Sequence, residues 1–165
     1  MTEQGSSIVQ DFEQSPERVF EAVTAVRGWW SKNITGGTAA AGDEFEYDVP
    51  GGVHHCRIRV VEVVPNQLVT WLVLDNTFNF VEDQEEWNDT EIRFEISRRD
   101  DGRTELRFTH VGLVPEFECY DICHQSWGFY VGHSLRKLIT TGQGLPNEVT
   151  DGVDVIGGRV EAFAG

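Results

Sequence analysis

The residues that decide the fold are 120–141, with the sequence YDICHQSWGFYVGHSLRKLITT. Apolar and semi-polar side chains recur there at steps of three and four residues, which predicts one buried stripe along a helix. The stripe comprises Tyr120, Cys123, Trp127, Tyr130, Val131, Ser134, Leu135 and Leu138. We expect one long helix from Phe117 to Thr141, ended by Gly142.

The chain before this helix has the alternating pattern of β-strands joined by short turns. Strands are predicted at residues 8–12, 44–49, 54–64, 68–74, 90–98 and 104–111. The last five follow one another without an intervening helix, which is typical of an antiparallel sheet. Ser15, Pro16 and Glu17 mark a helix start after the first strand, and a second short helical turn carries Trp29 and Trp30.

These elements predict an α+β fold of two layers. A curved antiparallel β-sheet wraps around the long C-terminal helix, and two short helices follow the first strand. The helix stripe and the inward strand faces both carry polar atoms, and His54 and His110 are among them. Buried polar atoms need partners, which either a ligand in a cavity or a closed, self-satisfied core supplies.

Composition and charge exclude several classes of function. The 13 basic and 28 acidic residues give a net charge of −15, which disfavours binding to nucleic acid and to anionic lipid. No apolar run reaches the roughly 18 residues of a membrane span. Three cysteines are too few for a disulfide scaffold, and together with the absence of a leader-like start they favour a cytoplasmic location.

Several short sequences carry a resemblance to a known family. They are residues 15–20 (SPERVF), 29–30 (WW), 42–45 (GDEF), 60–63 (VVEV), 69–71 (VTW), 104–113 (TELRFTHVGL), 119–121 (CYD) and 127–128 (WG). Their order and spacing resemble the START-like, pollen-allergen-like "helix-grip" superfamily, also called SRPBCC. The local sequence is most similar to the branch named after the activator of the heat-shock-protein-90 ATPase. The resemblance covers about residues 8–142.

The resemblance implies a sheet gripping a long helix, with a pocket between them that often takes small apolar ligands. It does not imply one activity, because the superfamily includes lipid carriers, hormone binders, polyketide aromatase/cyclases and chaperone regulators. We therefore divide the chain into a START-like helix-grip domain, residues 1–142, and a Gly- and acid-rich C-terminal extension, residues 143–165. A hairpin about Gly157 and Gly158 is predicted within 153–163.

The first functional hypothesis is the binding of a small hydrophobic, aromatic or lipid-like molecule between the sheet and the C-terminal helix. Rings with a large apolar face and one polar atom suit such a pocket, although each is also typical of an ordinary core. The candidate ligand-binding residues are Trp30, Tyr47, His54, Cys56, Trp71, Phe80, Trp87, Phe94, Phe108, His110, Cys123, Trp127 and Tyr130. We assign no catalytic residue, no metal ligand and no cofactor.

Two further hypotheses stay open. A cyclase/dehydratase- or hydrolase-type enzyme would use His110 or His54 as an acid or base, with Tyr47, Tyr120 or Tyr130 as partner. A protein-interaction module would resemble the chaperone-regulator branch. The candidate partners are therefore a small apolar or aromatic ligand, a second copy of the chain and a chaperone.

Two other groups of residues were weighed as functional sites, the first as a metal site and the second as a binding surface, and their patterns point to those roles only weakly. His54, Cys56, His110 and Cys123 lack the paired spacing typical of structural zinc. Residues 82–89 (EDQEEWND) predict a solvated acidic loop anchored by Trp87, with the binding of a cation or of a basic partner surface as the alternative.

Overall fold

A computed structural model describes residues 5–49, 54–78, 87–113, 120–150, 153–156 and 159–162 of the 165-residue chain. Seven of its strands form one antiparallel sheet. They are β1 Gly5–Phe12, β2 Ile34–Gly36, β3 Glu44–Val49, β4 His54–Val64, β5 Leu68–Phe78, β6 Glu91–Arg98 and β7 Thr104–Val111. Their order across the sheet is β1-β7-β6-β5-β4-β3-β2. The predicted antiparallel α+β fold is confirmed, and β2 is a strand that the sequence pattern did not predict.

Two short helical elements follow β1, as predicted. The first, α1, spans Pro16–Thr24, and the Ser15 hydroxyl accepts a 3.2 Å hydrogen bond from the Arg18 backbone N–H. This bond satisfies one of the free N–H groups at the start of the helix. The second is a 3₁₀ turn, Val26–Gly28, which directly precedes Trp29 and Trp30. Directly after this turn, the indole rings of Trp29 and Trp30 lie in the interior.

The C-terminal helix is continuous over the described residues 120–141. It comprises α2 (Tyr120–Phe129), a π-helical segment (Tyr130–Leu135) and α3 (Arg136–Thr141). Residues 117–119, predicted as its first turn, lie outside the described residues. Gly142 ends the helix with a φ of 89°, a left-handed conformation that glycine adopts at low cost.

A second, three-stranded antiparallel sheet follows the helix. Its strands are β8 (Glu148–Thr150), β9 (Val153–Ile156) and β10 (Arg159–Ala162), and Ile156 lies opposite Arg159 in the predicted hairpin. The turn residues 157–158 are outside the described residues. Within the described part of the chain, these strands pair only with one another.

The segment between α3 and β8 returns to the main domain. Asn147 forms a parallel bridge with Ser31, in which its carbonyl accepts from the Lys32 N–H at 2.8 Å and its N–H donates to the Trp30 carbonyl at 2.9 Å. The Asn147 side chain is fully buried. The boundary at Gly142 between domain and extension stays a prediction.

The core lies between the inner face of the sheet and the C-terminal helix. Strand residues alternate between buried and exposed, as in β4 and β6. The outer face carries charged pairs such as Arg59 with Glu44, whose nearest nitrogen and oxygen are 2.7 Å apart. Among the described residues, no helix is both long and apolar enough for a bilayer crossing.

Candidate functional site

The polar residues of the interior gather at one end of the sheet. His54 begins β4, Asn76 lies near the end of β5, and His110 is the penultimate residue of β7. Because neighbouring strands are antiparallel, the start of β4 and the ends of β5 and β7 lie at the same end of the sheet. Trp127 of the C-terminal helix covers this end from the opposite layer, because its N–H reaches His110.

A β-bulge in β5 explains how Asn76 comes to face the interior. Arg57 lies opposite Asp75, whereas the next residue of β4, Ile58, lies opposite Val73. The extra residue is Leu74, and it shifts the alternation of β5 by one. As a result Asp75 is exposed, and Asn76 is fully buried.

Aromatic rings form a continuous layer next to these polar groups. The Trp30 ring lies 4.9 Å from Tyr47 and 5.2 Å from Trp127, measured between centroids. Trp127 in turn stacks on Trp87 at 5.8 Å. The exposed fraction of each of these four side chains is 6% or less. Over the described residues, the rings therefore fill the space in which the resemblance implied a pocket.

His110 is held by a chain of hydrogen bonds whose direction can be assigned. The Trp127 indole N–H, which can only donate, lies 3.1 Å from His110 Nδ1, so Nδ1 accepts and Nε2 carries the proton. Nε2 donates to Thr90 Oγ1 at 2.8 Å, and that hydroxyl donates to the Trp87 carbonyl at 2.6 Å. Burial lowers the pKa of His110 to about 3, so the ring is neutral near pH 7. Both ring nitrogens are thus occupied.

His54 forms the second polar pair. Its Nε2 lies 2.7 Å from Asn76 Oδ1, and the Asn76 backbone N–H donates to Asn88 Oδ1 at 2.8 Å. Burial lowers the pKa of His54 to about 4, although the hydrogen bond to Asn76 opposes this shift. The other polar atom of the amide, Asn76 Nδ2, is buried without a hydrogen-bond partner.

Asn147 joins the sheet to the π-helical segment. Its Nδ2 donates to the Tyr47 hydroxyl at 2.9 Å and to the Tyr130 hydroxyl at 2.8 Å. Its Oδ1 is buried without a hydrogen-bond partner. Ser134, one turn beyond Tyr130, fixes the same segment by donating to the Trp29 carbonyl and accepting from the Leu145 N–H, both at 2.7 Å.

The structure brings the described candidate residues together. They are Trp30, Tyr47, His54, Cys56, Trp71, Trp87, Phe94, Phe108, His110, Cys123, Trp127 and Tyr130, and all are buried. Phe80, the remaining candidate, lies outside the described residues. Their role in ligand binding stays a prediction, since the contacts show burial and proximity only.

The two described cysteines are free thiols in the interior. Burial, and to a lesser extent the Asp75 carboxylate, raises the pKa of the Cys56 thiol well above its usual range, so Cys56 is not an activated nucleophile. Within the described ranges, no group of three or more His, Cys, Asp or Glu side chains is arranged to hold a metal ion.

Sequence reasoning missed three residues of this site: Asn76, Thr90 and Asn147. Strict alternation along β5 would place the Asp75 side chain in the interior. The β-bulge instead places Asn76 there, and no local sequence pattern indicates this bulge. Asn147 lies in a segment that the sequence assigned to the extension.

Comparison with known proteins identifies the family. The family model described as "Activator of Hsp90 ATPase homolog 1-like protein" matches residues 13–140. The chain belongs to this family. The resemblance inferred from the sequence is therefore confirmed, whereas a search of curated proteins gave no match.

Solved structures support the same fold for this member of the family. The Aha1 dimer from Colwellia psychrerythraea, solved in solution, has a TM-score of 0.65 and 24% identity, and the match covers 86% of this chain and 99% of that chain. DynU16, from the dynemicin biosynthetic locus, has a TM-score of 0.63 at 15% identity, covering 87% and 49%. CalU16 from Micromonospora echinospora has a TM-score of 0.53 at 16% identity, covering 82% and 76%.

Proposed function

We propose that this protein binds a small aromatic or otherwise apolar molecule at the polar end of the interior, between the sheet and the C-terminal helix. One observation carries the proposal: Asn76 Nδ2 and Asn147 Oδ1 are both buried without a hydrogen-bond partner. An unsatisfied buried polar atom costs about 1–3 kcal/mol, and native proteins leave few of them. A ligand that bonds to either amide would remove that cost at the atom it contacts.

The surroundings of the two amides suit an aromatic ligand. Trp30, Tyr47 and Trp87 offer flat apolar faces, and ring–ring contacts stabilise by about 0.5–1.5 kcal/mol beyond simple burial. Since the described rings already touch one another, binding requires some of them to move aside. Two shallow depressions on the outer face, of about 330 and 470 Å³, share Leu68 and Glu95 and lie away from these amides.

The hydrogen bonds of His110 disfavour this residue as the acid or base of the enzymatic alternative. A general acid or base needs a ring nitrogen within hydrogen-bond reach of the substrate. In His110 both nitrogens are occupied by Trp127 and Thr90. Its low pKa, about 3, also removes it from the range in which histidine exchanges protons near neutrality.

The test is a titration with N-phenyl-1-naphthylamine, an uncharged dye that fluoresces in apolar surroundings. We expect saturable binding, with energy transfer from the buried tryptophans. In Asn76→Leu, whose side chain fills the polar end, the affinity should fall about tenfold or more. Gln67→Ala on the outer face is the matched control and should bind as the unaltered protein does. A cooperative melt of each variant shows that it is folded.

Two results would overturn this proposal. One is the absence of saturable dye binding to the folded protein. The other is equal affinity in Asn76→Leu and Gln67→Ala, which would place the dye elsewhere. A crystal structure with only ordered waters on Asn76 and Asn147, together with no dye binding, would assign the unpartnered atoms to water.

Family membership favours a second candidate function, regulation of a chaperone ATPase. The family description names an activator of the Hsp90 ATPase, and the match spans residues 13–140. The test is the ATPase rate of purified Hsp90 with increasing amounts of this protein. A saturable increase supports the candidate, and an unchanged rate despite measured binding rejects it.

A homodimer is proposed on the same footing. The similar Colwellia psychrerythraea structure is described as a dimer, which makes self-association of this chain worth measuring. Sedimentation equilibrium over a range of concentrations separates the two states, and a monomer mass at all of them would reject the dimer.

A further inference from the structure

A short segment after the C-terminal helix closes the interior with one side chain. Residues 143–147, which we call the strap, run from the end of this helix to β8. Gln143 is exposed and the next three residues are half-buried, whereas Asn147 is fully buried. The strap therefore lies along the surface and inserts a single side chain. It also lies beyond residues 13–140, the part of the chain that matches the family model.

Asn147 makes hydrogen bonds to three residues that surround the candidate site. Its Nδ2 donates to the Tyr47 hydroxyl at 2.9 Å and to the Tyr130 hydroxyl at 2.8 Å. Its backbone N–H donates to the Trp30 carbonyl at 2.9 Å. Trp30, Tyr47 and Tyr130 are each 6% exposed or less. Because the strap lies on the surface, its departure would open the two hydroxyls to solvent.

The strap is held mainly by polar contacts that water can replace. Besides the bonds of Asn147, the Leu145 N–H donates to Ser134 Oγ at 2.7 Å, whereas the apolar side chains of Leu145 and Pro146 are only half-buried. A hydrogen bond that is exchanged for one with water contributes little net free energy. Asn147 Oδ1 is buried without a hydrogen-bond partner, a cost that solvent would remove. These contacts favour a strap that opens while the rest of the domain stays folded.

We propose that the strap is a lid: it closes the interior in the free protein, and a ligand enters between the sheet and the C-terminal helix only after the strap has lifted. This inference rests on the proposed function and adds its regulation. The apparent affinity for a ligand is then the intrinsic affinity reduced to the fraction of molecules whose strap is lifted. A change that lifts the strap should therefore tighten binding, whereas damage to a binding site weakens it.

Gly144 offers a way to lift the strap without substituting a residue of the candidate site. A Cβ atom at this position would collide with the Gly28 carbonyl oxygen and would lie 3.1 Å from that of Ser134. Both obstacles are backbone atoms, so in Gly144→Ala the strap must move away from them. Gly128→Ala is the matched control, because a Cβ at that exposed helix position meets no atom within 4 Å outside the backbone of its own helix.

The first measurement is the binding of N-phenyl-1-naphthylamine, by stopped-flow fluorescence and at equilibrium. We expect Gly144→Ala to bind the dye about tenfold faster and about tenfold more tightly than the unaltered protein, as a tenfold larger lifted fraction would give. Gly128→Ala should bind as the unaltered protein does. The double variant Gly144→Ala/Asn76→Leu should lose the gain, which shows that the dye has not bound to newly exposed surface elsewhere. A cooperative melt of each variant shows that it is folded.

Amide hydrogen exchange tests the lid without a ligand. The N–H groups of Lys32 and Asn147 form the bridge between the strap and the domain, whereas β6 lies between β7 and β5 in the sheet. In the unaltered protein we expect these two amides to exchange at least about tenfold faster than the paired amides of β6, at rates that low concentrations of urea leave unchanged. Both rates should rise in Gly144→Ala and stay the same in Gly128→Ala.

Three results would overturn the lid. The first is exchange of the Lys32 and Asn147 amides only through global unfolding, as slowly as those of β6. The second is an equal rate and affinity of dye binding in Gly144→Ala and Gly128→Ala, which rejects the lid and leaves the proposed function standing. The third is the absence of dye binding to every folded variant, in which case the proposed function fails first and the inference falls with it.

Discussion

Trp127 is the residue that ties the C-terminal helix to the sheet at the polar end. Its indole N–H donates to His110, and its ring lies 4.9 Å from Phe108 and 5.2 Å from Trp30. It is 2% exposed. A side chain with this combination of area and hydrogen bonding contributes both to packing and to the orientation of the imidazole.

Substitutions of Trp127 should lower the free energy of unfolding in proportion to the contacts that they remove. Trp127→Ala leaves a large cavity and an unpaired His110 nitrogen, so we expect a loss of about 3–5 kcal/mol in the free energy of unfolding. Trp127→Phe keeps much of the volume and loses only the donor, and should cost less. Urea denaturation measures both, and equal losses would show that the hydrogen bond to His110 contributes more than the packing of the ring.

Asn147 makes a different contribution, through hydrogen bonds alone. Asn147→Ala removes the donor to Tyr47 and Tyr130, and we expect the free energy of unfolding to fall by about 1–3 kcal/mol. Gln143→Ala, at an exposed position in the same segment, is the control and should change it by less than about 0.5 kcal/mol. An unchanged free energy of unfolding for Asn147→Ala in the same urea series would mean that the hydrogen bonds to the two hydroxyls do not stabilise the fold.

For individual residues, the sequence predicts the burial of large aromatic side chains better than that of small amide side chains. Alternation on strands and the helical stripe placed Trp71, Phe94, Phe108 and Trp127 inside, because burial of large apolar area dominates those positions. Asn76 could not be predicted, since its inward orientation depends on one extra residue in β5. The register of β5 depends on its pairing with β4, which a local sequence pattern does not determine.

Among the elements, the C-terminal helix shows both the strength and the limit of periodicity. The predicted stripe is buried at Cys123, Trp127 and Val131, but beyond the π-helical segment the buried residue is Ile139, at 1% exposure, and Leu138 is only partly buried. A π-helical segment adds one residue to a turn, so each later position moves by one around the helix. No sequence signal marks where that extra residue enters.

The segment after this helix gives a prediction at the element scale. A chain that stops after residue 142 lacks Leu145 and Asn147, which bond to Ser134, Tyr47 and Tyr130. A chain that stops after residue 150 keeps them. We expect the shorter chain to melt several degrees lower, since about 1 kcal/mol shifts the midpoint of a domain this size by roughly 2–8 °C.

The same pair of truncations tests the predicted domain boundary. Equal melting temperatures would support a domain that ends at residue 142, with all of 143–165 as an appendage. A lower midpoint for the shorter chain alone would move the boundary to the far side of Asn147.

For the whole molecule, the two buried imidazoles link stability to pH. In the unfolded chain the pKa of a histidine is near 6.5, whereas in the folded protein it is about 4 for His54 and about 3 for His110. As the pH falls below 6.5, the unfolded state takes up protons that the folded state refuses. The free energy of unfolding therefore decreases with falling pH, and this decrease continues until the folded pKa values are reached.

Between pH 6.5 and pH 5, where most carboxylates are still ionised, we expect a decrease of up to about 1.4 kcal/mol per pH unit for each imidazole. Urea denaturation at a series of pH values measures the slope. His110→Gln should reduce it, whereas Gln143→Ala, at an exposed position without a titratable group, should leave it unchanged. An identical slope in the His110 variant would mean that this imidazole is not buried as a neutral group.

The pairing of β1 with β7 has a consequence for how the chain reaches its native state. Until Thr104–Val111 has been synthesised, β1 lacks the partner strand that it has in the folded protein, and the hydrogen bonds of Asn147 can form only later still. Contacts so distant along the chain are formed slowly, and exposed edges promote association between nascent molecules. We therefore expect the main sheet to be completed only late in synthesis, once β7 is available to pair with β1.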